Sequence, residues 1–505
     1  MNSRIHMSIA LAAALAALGS SAAVVDSFEA LRQALENASA GATVTLADGT
    51  YTADGTITVT AANVTLRSAH GKAKVIIDGE SQWRILNVST NGFKVEGITF
   101  RNGRCPGNGG AISYSSSSVS QTTVVKDCDF IDCVAKYGGA IYAGQNSYSS
   151  FEPRANYGIV SGCTFLRCGI DSGASDNNGG GGAICGALWV ENSVFDACYC
   201  TTPNVQEYHL AIDVPSYMTI TNCIFRNHTN ITRGLVGSKE GRVQEGCARL
   251  IDCLIAGNTS SHVDDVLFHR KVILDRCVIS NNASTVTSEL SSLYRLDASG
   301  DRGFSRVMNC LFIDNQYPFN MDNLPPLLNC TFVRNVGGLA YNYIANADNR
   351  HMPAITNCLF WANVAKTSWP HNATFKGVPG VYWHGSMPLK DLVQLANIVV
   401  AGGTPDLNAD VAAVLAADPS GASTHLTALA AQKGPGFRDA EAGDWSLRKA
   451  SVLVDGGVRY DGVDAAQDLA GHRRCLKSGA VAQGALPDIG CYEYYSLAGL
   501  TIHLR

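Results

Sequence analysis

The chain is poor in charge. Charged residues are 16% of 505 and the formal net charge is −5. No basic stripe marks a nucleic-acid partner. Nor is there a general attraction for acidic polysaccharide, although a local patch could supply one. Proline is sparse, at 15 residues. After the first 22 residues no stretch reaches the ~20 apolar residues of a membrane span, so none is expected in the mature protein. Pairs of amphipathic stretches of ten or more residues, the mark of a helical solenoid, are also missing from the repeats described next.

What recurs is a short unit. An apolar run is followed by a polar residue, Cys, any residue, Phe or Ile, two further residues, and Asn. Its clearest copy is Ile355-Thr356-Asn357-Cys358-Leu359-Phe360-Trp361-Ala362-Asn363. Cys128, Cys163, Cys223, Cys253, Cys277, Cys310 and Cys330 occupy the same place, Ser193 substitutes once, and Gly97-Ile98-Thr99-Phe100 is a degenerate first copy. From Cys163 to Ser193 to Cys223 to Cys253 each step is 30 residues, and elsewhere steps run from 20 to 35. A period in this range implies a solenoid. Cys and Phe alternate with variable residues, which is strand spacing. The expectation is an all-β, right-handed parallel β-helix of about ten coils, with Cys, Phe and Asn stacked in ladders along its axis.

A second element, Gly109-Gly110-Ala111-Ile112, recurs as Gly138-Gly139-Ala140-Ile141 and Gly181-Gly182-Ala183-Ile184. Paired glycines suit a bend where a side chain would meet the next coil. Gly-Gly-Ala-Ile with Phe-x-x-Asn resembles the repeats of the polymorphic outer-membrane protein family. More broadly, the chain resembles the pectin-lyase-like β-helix superfamily over residues 90 to 365. That resemblance implies the fold more than an activity.

Residues 1–22 have the pattern of a secretory signal: Arg4, an apolar run from Ile9 to Leu18, and small residues at Ser20-Ser21-Ala22-Ala23. The mature protein is expected to be secreted or at the cell surface. Residues 23–365 are assigned to the β-helix. Phe28, Leu31 and Leu35 fall on one helical stripe, with Asp26 or Ser27 as N-cap, and would cover the open end of the solenoid. This start, with the alternating runs that follow, resembles that of β-helix lyases acting on alginate and chondroitin. In 366–433, an irregular connection, Leu389 to Val400 and Ala409 to Ala417 have helical patterns. Residues 434–505 resemble the C-terminal module of the choice-of-anchor Q family, through Gly436-Phe437, Gly443-Asp444-Trp445, Asp455-Gly456-Gly457, Asp468 and Asp488-Ile489-Gly490-Cys491. The resemblance implies surface association.

Eight of the 17 cysteines fall in the ladder, and Cys133, Cys168 and Cys198 begin a second row in the Asn position. Such thiols behave as small buried hydrophobes. Cys475 and Cys491, outside the ladder, are the expected disulfide pair. Asp171, Asp176, Asn177 and Asn178 could hold calcium, but they lack the spacing of a recognised calcium loop and equally suit a solvated turn. No other cofactor or metal is indicated.

Elimination chemistry on an acidic glycan needs a base and a cation for the substrate carboxylate. Hydrolysis needs paired carboxylates. The densest cluster is His262, Asp264, Asp265, His269, Arg270 and Lys271, with Lys239, Glu240 and Arg242 one coil earlier. Aligned strands put Asp213 and His269 at matching outward positions two coils apart, ~10 Å, with Arg295 in the next coil. Asp213, His269, Arg270 and Lys271 are the catalytic candidates; Lys239, Arg242 and Arg295 are candidates for binding substrate. A solvated outer face explains the same residues without function. The Lys-Ser pair after paired glutamates and the Arg-His-Gly run expected of the alginate and chondroitin lyases are absent, as are the paired aspartates of polygalacturonase-like hydrolases. The reading is therefore a monomeric, glycan-binding or adhesin-like scaffold. A polysaccharide lyase or glycoside hydrolase is the alternative.

Overall fold

The computed structural model describes residues 25–495 apart from 116–118, 145–149, 172–179, 202–208, 215–216, 230, 232–233, 238–246, 261–266, 270–271, 285–293, 296–305, 317–318, 322–325, 337–338, 342–353, 364–374, 379–380, 385–393, 397–398, 402–433, 478–479 and 482–484. The signal segment, the second helical pattern at 409–417 and most of the calcium candidate therefore lie outside the described residues.

The chain coils as a right-handed parallel β-helix. Sheet 1 has 13 strands, from Thr43–Leu46 to Gln394–Ala396, and sheet 2 has 13, from Gly49–Thr52 to Val399–Ala401. Sheet 3 has nine described strands, from Ile57–Val59 to Tyr294–Arg295. Each of the first nine coils visits sheets 1, 2 and 3 in turn. Two coils before Phe100 and one after Phe360 extend the ten units read from the repeat. Their strands pair in register, Tyr51 with Ile77, Ile77 with Phe100, and Phe360 with Val400. The stretch Leu389 to Val400, expected to be helical, instead contains strands of sheets 1 and 2. A short apolar run carries no period that separates the two states.

The repeat unit is a strand between two corners. The residue before each Cys and the residue five positions later have positive φ: Asp127 and Asp132, Asn192 and Ala197, Asn309 and Asp314, Asn357 and Ala362. This backbone region explains the frequent Asn, Asp and Gly before Cys. Between the corners the strand turns Cys and Phe inward. Phe100, Phe130, Phe165, Phe195 and Phe225 stack at centroid distances of 4.7–5.2 Å. Phe312, Phe332 and Phe360 resume the stack at 4.7 Å. The Cys row is buried throughout, and each thiol donates to a nearby carbonyl, as Cys128 does to Lys126 at 3.2 Å.

The second row, Cys133, Cys168 and Cys198, continues as His228, Asn258, Asn282, Asn315, Asn335 and Asn363, all buried. Each Asn Oδ1 accepts both the backbone and the side-chain N–H of the residue one coil earlier, as Asn315 does from Asn282 at 3.1 and 2.9 Å. His228 heads this ladder, with Nδ1 2.9 Å from Asn258 Oδ1. Burial pushes its imidazole pKa down to about 4. It is therefore neutral at pH 7, and since Oδ1 can only accept, Nδ1 carries the proton.

Helix α1, Phe28–Glu36, caps the first coil. Ser27 Oγ accepts the Ala30 N–H, and Phe28, Leu31 and Leu35 are buried. At the other end the C-terminal residues dock on the side of sheet 2. Leu311, Ile313, Val333 and Leu359 point out of the solenoid and pack with Phe437, Trp445, Leu447, Leu453, Ile489 and Cys491. A buried polar network completes the contact. Arg474 donates to Asn309 Oδ1 at 3.0 Å and to Glu493 at 3.4 Å. Cys475 and Cys491 are both free thiols, which corrects the expected disulfide. Cys491 packs against sheet 2 while Cys475 sits in a separate small cluster with Val463 and Ala485.

Candidate functional site

The glycine pairs prepare sheet 3. Gly109, Gly138 and Gly181 have φ of +60°, +61° and +67°. A Cβ on Gly139 would sit 2.1 Å from the Gly182 carbonyl oxygen, so only glycine lets successive coils approach this closely. In the next coil the pattern changes. Gly181 and Gly182 donate to the carbonyls of His209 and Leu210, so His209-Leu210-Ala211-Ile212 is the fourth copy, with His209 in the first glycine place.

From there the outward positions of sheet 3 change character. Ile184 and Ile212 enter the core, and Cys185 and Asp213 beside them do not. Register aligns Cys185, Asp213, Gly237, His269 and Arg295 on five successive coils. The spacing expected for Asp213, His269 and Arg295 is therefore the observed backbone register. Arg270, Lys271, Lys239 and Arg242 lie outside the described residues, as do His262, Asp264, Asp265 and Glu240 of the same cluster.

Asp213 differs from the expectation in one respect: it is 1% exposed. It faces away from the solenoid core yet is covered. Its Oδ1 lies 3.5 Å from His209 Nδ1, and His209 is 2% exposed. Its Oδ2 accepts from the Cys185 thiol at 3.4 Å. A Cβ on Gly180 would stand 2.6 Å from Oδ2, so that glycine makes room for the carboxylate. The buried carboxylate and imidazole thus stand at ion-pair distance from each other. His209 and Cys185 were not among the residues singled out from sequence. The available signal was the replacement of the first glycine in a Gly-Gly-Ala-Ile position. Asp171, from the calcium candidate, is ion-paired with Arg104. Among the described residues no three His, Cys, Asp or Glu side chains are grouped to hold a metal.

Residues 25–149, about a quarter of the chain, match the family model of chondroitinase B. This is the capping helix and the first coils, ahead of the column. No curated protein matches. Among solved structures, a PL6 family alginate lyase mutant is 14% identical, with 76% of this chain and 52% of that chain covered and a TM-score of 0.40. A PL6 family polysaccharide lyase from Pseudopedobacter saltans is 14% identical, with 72% and 91% covered and a TM-score of 0.33. An alginate lyase solved in complex with G6 is 12% identical, with 74% and 92% covered and a TM-score of 0.36. The chain spans about half the length of the first of these. At such identities and scores the likeness carries no argument about activity, and the fold rests on the strand register above.

Proposed function

We propose that this chain is an exported polysaccharide lyase acting on an acidic glycan along the outer face of sheet 3. The observation that carries the reading is the column of Asp213, His269 and Arg295, one line of positions across successive coils. The chondroitinase B match over the first coils supports it. It replaces the scaffold reading favoured by the sequence alone.

β-Elimination removes the proton on the carbon next to the uronate carboxylate; the electron pair forms a double bond to the adjacent carbon as its bond to the glycosidic oxygen breaks, and that oxygen takes up a proton. In this assignment His269 or Lys271 takes the proton. Arg295 and Arg270 hold the carboxylate, whose charge grows as the proton leaves. Lys239 and Arg242 extend the cationic track along the polymer. Asp213, covered by its surroundings, acts as a positioning residue through His209.

A non-catalytic glycan-binding scaffold remains the second reading, favoured by a specific observation. The sealed Asp213–His209 pair is closed to substrate, and the Lys-Ser and Arg-His-Gly signatures are missing. A panel of alginate, chondroitin sulfate, polygalacturonate and neutral polymers, followed by ultraviolet absorbance of unsaturated products, decides between them. Unsaturated product abolished by His269→Ala or Lys271→Ala, and reduced by Arg295→Ala, is the expected result. Retention without product on every acidic polymer overturns the lyase assignment.

A further inference from the structure

We propose that the outer face of sheet 1 carries a second glycan-binding surface, centred on Arg249, for a uronate-bearing polysaccharide chain. It does not depend on turnover in the sheet 3 column.

The solenoid habitually pairs its outward arginines. Arg167 holds Asp132, Arg226 holds Asp196, Arg276 holds Asp252 and Arg334 holds Asp314, each at 2.6–2.7 Å. Arg249 and Arg306 break this rule. They share one column of sheet 1, with Ile273 between them. That places them two coils apart, ~10 Å. Neither makes a hydrogen bond or ion pair with a carboxylate among the described residues. Arg249 is partly buried, and its pKa is lowered, first by burial and then by the charge of Arg306. The nearby carboxylate, Asp275, is already held by Arg276 at 3.2 Å and Asn309 at 3.0 Å.

The contact that Arg249 does make is aromatic. Its guanidinium carbon lies 4.1 Å from the centroid of the Phe151 ring. Phe151 meets Tyr217 edge-on at 5.1 Å. Further along the same face Trp189, partly exposed, lies 6.1 Å from Tyr157. The segment bearing Phe151 is pinned to the sheet, because Arg154 grips Glu191 with two bonds of 2.8 and 2.6 Å. Aromatic faces receive the apolar C–H faces of sugar rings, and an unpaired guanidinium fork takes a carboxylate bidentately. Two such forks in line, with the nearby Asp275 already held by Arg276 and Asn309, fit a polymer carrying carboxylates at intervals rather than a neutral glycan. Asp213 closes a sheet 3 strand and Met218 opens the following sheet 1 strand, so the two surfaces meet at one corner. A bound polymer could cross from one to the other.

The test is affinity electrophoresis of the full chain through gels containing alginate, carboxyl-reduced alginate or dextran. Arg249→Met keeps the packing stem, and Arg306→Gln alters an exposed residue that leaves the fold intact. The expected result is retardation by alginate alone, weakened about tenfold or more by each substitution, with an unchanged melting temperature. Turnover of short oligosaccharides by the sheet 3 column, where it occurs, should stay at the unsubstituted level. Alginate retention left unchanged by the double substitution in a chain whose sheet 3 column already carries Arg295→Ala overturns the proposal. Equal retention by the neutral polymers also overturns it.

Discussion

Replacing Asn315 with alanine isolates what the buried asparagine ladder contributes. The Asn315 amide donates to the Ile279 carbonyl at 2.7 Å and to Asn335 Oδ1 at 3.0 Å. Its Oδ1 accepts from Asn282 twice, at 3.1 and 2.9 Å. Asn335 Oδ1 keeps the backbone N–H of residue 315, so it is not orphaned. The Asn282 N–H and one of its amide hydrogens are, in a site closed to water. Two orphaned buried donors at ~1–3 kcal/mol each give a local loss of about 4 kcal/mol. Unfolding of a solenoid is not safely two-state, so a single global stability is the wrong readout. Amide hydrogen exchange resolved by peptide is the right one. A loss of about 4 kcal/mol should speed exchange of the Asn282 coil about a thousandfold, and the coils around Phe130 much less. Exchange at Asn282 within tenfold of the unsubstituted rate would refute the view that the ladder holds these coils together.

Three further outcomes follow from the same structure. Phe165→Ala removes a ring stacked between Phe130 and Phe195 at 5.0 and 4.8 Å; it should cost about 3–5 kcal/mol, read as a lowered denaturant midpoint of the coils it touches. Fifteen cysteines are buried and two, Cys105 and Cys200, are partly exposed. Labelling of the native protein should therefore stop at those two until denaturant is added. Gly139→Ala should prevent close approach of its coil to the next, since the added carbon would lie 2.1 and 2.4 Å from two backbone oxygens; loss of soluble protein or of native circular dichroism checks it.

The repeat was readable because the same chemistry returns to the same place. The repeat, with Cys in its place in eight copies, marks sheet 2 in ten of its coils. The two coils at the N-terminal end lack that signature and fell outside the count of ten, though their runs read as strands, and the final coil was missed; Tyr51, Ile77 and Val400 take the Phe register. The column Asp213, His269, Arg295 was readable for the same reason, since a parallel solenoid converts sequence offset into register. Burial was not readable. Asp213 looks outward from its strand, and only the folded chain shows it covered beside His209 and Cys185. The Cys475–Cys491 pairing failed because leftover status in a sequence says nothing of proximity. The docking of the C-terminal segment was missed too, because outward Leu311 and Leu359 look like ordinary strand residues until their partner is placed.

That docking yields the last prediction. Asp488 is buried beside Glu493, accepting the Asp455 N–H at 2.6 Å and the Tyr494 N–H. Burial, and then the charge of Glu493, push its pKa up to about 8 from 3.8. The folded state thus binds this proton more tightly than the unfolded state does. The stability it contributes is fully present below about pH 4, declines as pH rises, and is gone above about pH 8. His472, raised by the Asp468 carboxylate 3.4 Å from its Nδ1, acts in the same direction. Arg474 offers one cation to the buried carboxylates around it, so deprotonating Asp488 leaves a charge without its own counterion. The C-terminal contact should therefore loosen between about pH 4 and 8 while the coils around Phe130 stay folded. Trp445, buried in the contact against sheet 2, reports it. Its fluorescence-monitored unfolding should shift to lower denaturant across that range. Glu493→Gln, which removes the charge raising Asp488, should move the pH midpoint downward. A Trp445 transition that is flat from pH 4 to 8, or a midpoint unmoved by Glu493→Gln, would show that the carboxylates share their protons differently from this account.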